Sequence, residues 1–396
     1  METLQPKLRF PEFDGNWYRK LFKETCQVNP SNKKLPTKFI YIDLESVNDG
    51  LLSKENEILL DDAPSRAQRL LAKEDVLFQM VRPYQKNNLY FDKDGDYVAS
   101  TGYAQLRANA SSKFLFQYLH NQKFVDKVIE KCTGSNYPSI NSTDLANIFV
   151  VFPENNEQTR IANFLSSVDE KLNLLKEKRA LLEEYKKGIM QKIFNQEIRF
   201  KDDNGEDFGE WENVVLGNVS DVRDGTHDSP KYVDNGYPLI TSKNLNSNGK
   251  LDFNNVEFIS QIDFDKINKR SKVDIGDIIF GMIGTIGNPV LLKSDEFAIK
   301  NVALIKEKQV LKNSFLIHFL NSSLILNQFK KENVGGTQKF LSLGIIRNLD
   351  ILLPSIEEQT KIANFLSAID EKIELVSNQI QDTQEYKKGL LQQMFV

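Results

Sequence analysis

The sequence predicts an α+β protein written twice. Two α+β domains alternate with two long helices that form an antiparallel coiled coil, the whole a pseudo-twofold internal duplication. Three observations carry this. "EQTRIANFLSSVDEK", beginning at Glu157, returns as "EQTKIANFLSAIDEK" at Glu358, 201 residues later in a chain of 396. Apolar residues inside both copies fall alternately four and three apart, the spacing of a heptad seam. Ahead of each copy lie short apolar runs broken by turns and then an amphipathic helix, the pattern of an α+β domain.

Taken in order, the first domain spans 1–152. "KFIYIDL" from Lys38 and "DVLFQMV" from Asp75 read as strands, "SKFLFQYLHNQKFVDKVIEK" as one helix, and "NIFVVFP" as a last strand. A helical spacer covers 153–195, with its seam at Ile161, Leu165, Val168, Leu172, Leu175, Leu182 and Ile189. Pro153 stands just before it, as at a helix start, and no proline interrupts it. The second domain covers 196–353. Its strands are "YPLITS" from Tyr237, "DIIFGMI" from Asp277, "FAIKNVALIK" from Phe297 and "NLDILLP", and its helix is "NSFLIHFLNSSLILNQFKKE". The C-terminal spacer, 354–396, repeats the seam at Ile362, Leu366, Ile369, Ile373, Val376, Ile380 and Leu390. A helix from Glu157 to Phe194 would be roughly 55 Å long. It cannot bury its stripe alone. The other copy is the expected partner; packing on its own domain or on another chain is the alternative.

The repeat reaches beyond the helices. Residues 152–194 align without a gap to 353–395, and Phe114-Leu115 meets Phe315-Leu316. A shift of 202 lays Asp75 on Asp277, so Gln79, Arg82 and Gln85 stand where the second copy has Gly281, Gly284 and Gly287. "LRFPEFDGNW" from Leu8 answers "IRFKDDNGEDFGEW" from Ile198. The helices are nearly constant while the domains keep only their apolar skeleton, so the two domains meet different demands.

Composition narrows the function. The net charge of −4 gives no bulk attraction to nucleic acid, although Arg19 to Lys38 carries six cations against Glu24. That stretch reads either as a basic face or as a solvated loop. No run of 18 apolar residues suggests a membrane span. The N-terminus lacks a signal-peptide core, and Cys26 and Cys132 read as free thiols, so a cytoplasmic location is expected. Catalytic motifs are missing. There is no GxxxxGK[ST], no HExxH and no paired CxxC; "FGMIGTIGN" is not GxGxxG and reads as a turn. His120 and His318 fall on predicted helices and read as structural or surface residues. A binding and scaffolding protein is expected.

With these residues in view, the chain resembles the specificity (S) subunit of type I restriction–modification systems. The resemblance lies in "LRFPEFDGNW", "VFPENNEQTRIANFLSSVDEKL", "VRDGTHDSPKYVDNGYPLITSKNL", "GGTQKFLSLGIIRNLDILLP" and the second "EQTKIANFLSAIDEKI". It covers essentially the full chain and is weakest over 18–135. It implies a non-catalytic subunit whose two domains each read one half of a bipartite, gapped sequence in double-stranded DNA. The paired helices would set the gap and dock two modification (methyltransferase) subunits, with restriction (translocase and nuclease) subunits joining them. No cofactor is expected on this chain. S-adenosylmethionine, ATP and Mg are expected on the partners, and no membrane is involved. The alternative is a two-module coiled-coil adaptor for protein or carbohydrate partners.

Base edges are read by polar and cationic side chains on loops or helices. The expected DNA-binding residues of the first domain are Arg82, Tyr84, Lys86 and Asn87, with Ser135, Asn136 and Tyr137 from the glycine loop. Those of the second are Thr226, His227, Lys231, Ser242, Lys243 and Asn244, with Thr337, Gln338 and Lys339.

Overall fold

The structure is a computed structural model that describes residues 4–31, 34–284, 286–332 and 340–396. The chain divides into two units, Met1–Glu177 with Ser377–Val396, and Lys178–Val376. The central helix runs from Asn155 to Phe194 and the terminal helix from Ile356 to Gln393. Each unit therefore holds one globular domain, the start of one long helix and the end of the other.

In the first unit the strand Tyr103–Ala108 lies between Cys26–Val28 and Val76–Gln79, with Leu89–Tyr90 beyond. A second sheet orders Asn56–Leu59, Lys38–Ile42, Tyr97–Ser100 and Ala67–Leu70, and its two central strands run parallel. The second unit repeats both sheets. Asp221–Asp224, Val302–Lys306, Ile278–Gly281 and Gly287–Leu291 form one. Tyr232–Val233, Glu257–Ile259, Tyr237–Ile240 and Ala298–Ile299 form the other, again with one parallel pair. The copies differ at the edges of this second sheet. Where the first unit adds Ala67–Leu70 beside Tyr97–Ser100, the second packs the helix Gln261–Ser271 onto its sheet through Ile267 and the stacked rings of Tyr237 and Phe264, 3.9 Å apart.

Two expectations about elements are corrected. Each single amphipathic helix is two: Ser112–Tyr118 with Gln122–Glu130, and Asn313–Leu320 with Ser323–Glu332. Asn121 breaks the first pair by capping the second helix, its side chain accepting from Lys123 N. His120 accordingly lies in the break between helices. The run "FAIKNVALIK" is two strands in two sheets, split at Asn301, which adopts φ 56°. Strands Tyr18–Leu21 and Glu212–Val215, which the sequence reading missed, pair antiparallel with Phe149–Phe152 and Asp350–Leu353.

Both alternatives for burying the helical stripe are realised. In the first unit Ile161, Leu165 and Val168 join a core of Trp17, Phe78, Phe114 and Tyr118, and Leu390, Met394 and Phe395 from the end of the terminal helix enter the same core. In the second unit Ile362, Leu366 and Ile369 pack with Trp211, Phe280 and Phe315, joined by Ile193 and Phe194 from the end of the central helix. The helices run in opposite directions in each unit, tied by Lys387–Asp169 (2.5 Å) in the first and Lys186–Asp370 (2.5 Å) in the second. These are one ion pair in the two copies of the repeat. Val376, Ile380 and Leu390 are buried; Leu175, Leu182, Ile189 and Ile373 are half-buried. Ile161, Leu165 and Val168, like Ile362, Leu366 and Ile369, are thus domain-core residues as well as seam residues, and Ile189 and Ile373 pack against the second core.

Next to this ion pair the copies differ. Gln117 donates to Asp169 (2.6 Å), and its counterpart is His318, whose Nε2 lies 3.1 Å from Ser367 Oγ and whose Nδ1 lies 3.8 Å from Asp370. Burial, reinforced by the Lys186 ammonium, holds the His318 pKa down at about 3. The folded unit therefore keeps this imidazole neutral while the unfolded chain protonates it near 6.5. Its contribution is fully present above pH 6.5 and is lost as pH falls towards the folded value, by about 1.4 kcal/mol per pH unit. His318→Gln, which installs the residue of the first copy, should flatten the acid limb of stability between pH 6.5 and 4. An unchanged limb in urea titrations at these pH values would refute the assignment.

Candidate nucleic-acid interface

The strands before the long helices end in a fixed joint. Glu157 is 3% exposed and accepts from Arg9 Nε and Nη2, both at 2.8 Å, and from Trp17 Nε1 at 3.2 Å. Glu358, fully buried, accepts from Arg199 Nε (3.2 Å) and Nη2 (2.8 Å) and from Trp211 Nε1 (2.8 Å). The bidentate carboxylate bonds raise both arginine pKa values. The next residue also repeats: Gln158 and Gln359 each donate at 2.9 Å to the carbonyl of the proline ahead of the helix, Pro153 and Pro354. So "EQ" and the "RF…W" segment form one clamp in two copies. It fixes where each domain meets its helix.

The first domain brings two of its expected reading segments together. Val81 bridges to Ser139, Arg82 N donates to Pro138 O at 2.7 Å, and the Arg82 guanidinium lies 4.2 Å from the centre of the Tyr137 ring. Ser135, Asn136 and Tyr137 are exposed, as is Tyr84; Arg82 is half-buried. The remaining two face inward. Lys86 Nζ donates to His120 O (3.1 Å) and Gln122 Oε1 (2.8 Å), and burial lowers its pKa. Asn87 Nδ2 donates to Val47 O (2.6 Å), while its Oδ1 accepts from Gly50 N (3.3 Å). These two order the loop.

In the second domain the segment after strand Asp221–Asp224 folds against Asn301. Gly225 is required there, since a Cβ would stand 2.6 Å from Ile299 O. Exposed His227 places Nε2 at 2.8 Å from Asp224 Oδ2 and Nδ1 at 2.9 Å from Asn301 Oδ1. Both partners are acceptors, so the imidazolium satisfies both, and bonds to Asn301 and Asp224 raise its pKa. Arg270 also pairs with Asp224, and Lys300 donates to Ser229 Oγ at 2.9 Å. Thr226 caps this turn, accepting from Asp228 N (3.1 Å). Lys231 and Lys243 are exposed. Ser242 and Asn244 are corrected: both are 4% exposed, because Ser242 donates to Asn301 O and Asn244 donates to Asp252 O and Asn255 O. Thr337, Gln338 and Lys339 lie outside the described residues.

Sequence reasoning missed Asp224, Arg270, Lys300 and Asn301, which come from three separate segments. The only signal was Asn301, a polar residue interrupting an apolar run. The cation-rich stretch from Arg19 resolves mostly as a solvated surface. Arg19 stacks over Phe149 at 4.4 Å, Lys23 bonds Asn147 and Lys38 pairs with Glu57. Among the described residues no three His, Cys, Asp or Glu side chains gather to hold a metal, and no helix is long and apolar enough to cross a membrane.

Two α+β domains, each clamped to matched helices and each presenting its own polar loops, define a duplicated recognition protein. Residues 20–184 and again 209–384 match the family described as the type I restriction modification DNA specificity domain. The chain belongs to this family and carries its domain twice. It is 26% identical over 390 residues to the type I restriction enzyme MjaVIII specificity subunit of Methanocaldococcus jannaschii, covering 91% of this chain and 86% of that protein. It is 25% identical over 178 residues to the EcoBI specificity subunit of Escherichia coli, covering 43% and 37%. In fold it resembles the type I restriction–modification S subunit from M. genitalium, with a TM-score of 0.63 at 16% identity over 99% of both chains. It also resembles a chain solved in a study of type I system assembly and conformational transition, with a TM-score of 0.57 at 22% identity over 95% and 96%.

Proposed function

We propose that this chain is the non-catalytic DNA-specificity subunit of a type I restriction–modification complex. The observation that carries the reading is the duplication itself: constant clamps and helices support two domains whose exposed loops differ. Each domain reads one half of a bipartite target in duplex DNA. A 40-residue helix spans about 60 Å, a little under two turns of B-DNA, so the paired helices suit a ruler for an unread gap. Their constancy also suits docking of two identical modification subunits. S-adenosylmethionine belongs on those subunits, and ATP and Mg on restriction subunits that join them, in the cytoplasm. The modest acidity of the chain is compatible with this, since partner subunits can supply much of the sequence-independent phosphate attraction.

Mapping methylated adenines in the host genome with and without this chain tests the reading. One split motif should vanish when the chain is removed, and the purified chain should carry two methyltransferase chains. A genome whose methylation is unchanged would end the proposal. Binding of duplex DNA by the assembled complex should weaken steeply with salt, which an adaptor for protein or carbohydrate would not show.

A further inference from the structure

The turn after strand Val76–Gln79 is left-handed at Arg82, with φ 55° and ψ 53°. The repeat puts Gly284 at this place in the second unit, also at positive φ (74°). Glycine adopts that backbone freely, whereas an L side chain there is strained. Pro83 adds to the strain, because a following proline presses its neighbour towards extended backbone. The first unit therefore keeps an arginine where the turn is made for glycine. Strain of this kind persists where the surroundings hold it, and here they do. The Arg82 backbone is fastened to Pro138, and its guanidinium lies on the Tyr137 ring. Its Nε is shut off from solvent and unpaired, and no carboxylate or carbonyl among the described residues bonds the terminal nitrogens. Only the end of the fork is left to meet a partner, and the Tyr137 ring holds it in place.

We propose that Arg82, positioned by the left-handed turn and by Tyr137, reads a guanine in the first half of the target. This rests on the specificity-subunit reading above and names the base that one residue takes. Guanine offers O6 and N7 in the major groove, a planar acceptor pair that fits two N–H donors of an arginine fork. A phosphate contact would need only charge, which a mobile exposed lysine supplies without a strained backbone or a stacked ring.

The full chain assembled with its modification subunits is used to select duplexes from a library randomised over the first half-target. The wild type should require guanine at one position of that half. Arg82→Gly, which gives the turn its second-unit residue, should melt no lower than the wild type. It should lose that preference by about 10- to 100-fold while the other half stays as it was. Arg82→Lys should fail to restore the preference, and Tyr137→Ala should weaken it at the same position. Equal weakening on every duplex, with a shallower salt dependence, would make Arg82 a phosphate contact and overturn the proposal. So would an unchanged selected sequence, or a first half without guanine. If the wild type selects no sequence at all, the specificity-subunit reading itself falls and takes this proposal with it.

Discussion

Replacing Glu358 by alanine should unfold the second unit at a melting temperature roughly 10 °C below the wild type, a loss of about 3–5 kcal/mol. The carboxylate is fully buried and takes three bonds, two from Arg199 and one from Trp211. Its removal leaves a half-buried guanidinium whose remaining hydrogen-bond acceptor among the described residues is Gly209 O, at 2.6 Å, and an indole N–H that has lost its acceptor. An orphaned buried charge costs far more than a surface pair is worth. Asp207→Ala, which breaks the exposed pair with Lys201, is the control and should shift the transition by under about 0.5 kcal/mol. Glu358→Gln should fall between, since one amide oxygen can still serve Trp211. Calorimetry of the three variants decides this. Equal melting for Glu358→Ala and Asp207→Ala would show that the clamp adds nothing to stability. Glu157→Ala should do the same to the first unit, because Arg9 and Trp17 hold Glu157 in the same way.

The clamp shows what the sequence made legible and what it did not. The doubled "EQ" and the doubled "RF…W" were both visible as repeats, yet nothing in either string says that they touch across about 150 residues. The heptad spacing identified Ile161, Leu165, Val168 and their copies as buried, but not that domain residues such as Phe114 and Phe315 would cover them. Periodicity reports that a face is buried and is silent about its cover. The helix breaks at Asn121 and at Asn321-Ser322 were missed because the apolar pattern runs through them, and local capping decided against it. The reading loops were half legible. Exposed Tyr137 and half-buried Arg82 lie together as polar turn residues, whereas Asn87, Ser242 and Asn244 have the same composition and bond the main chain inside the fold. Polar residues stabilise turns as often as they offer contacts, and composition does not separate the two uses.

A chain whose residues 18–152 are replaced by a second copy of 212–353 should fold, assemble and direct methylation to a gapped target with the same sequence in both halves. The junctions are equivalent in both units. Trp17 and Trp211 close the same clamp just before the exchanged segment, and Pro153 and Pro354 start the helix just after it. The helix residues that meet the domain also match: Ile161, Leu165 and Val168 on one side, Ile362, Leu366 and Ile369 on the other. The end of the other helix offers Phe395 to the first core and Phe194 to the second, each ringed by the Phe or Tyr residues of its domain. A second-unit domain set on the first-unit helices thus meets the surface it was built for. Two identical domains, each held by the same clamp and the same helix residues, would read the same half-sequence. The first half of the target would be replaced by a second copy of the other half. Methylation mapping in a host carrying the exchanged chain reads this directly. Retention of the original first half would show that residues outside 18–152 carry its specificity, and a folded, assembled chimera that directs no methylation would show that the domains are not interchangeable readers.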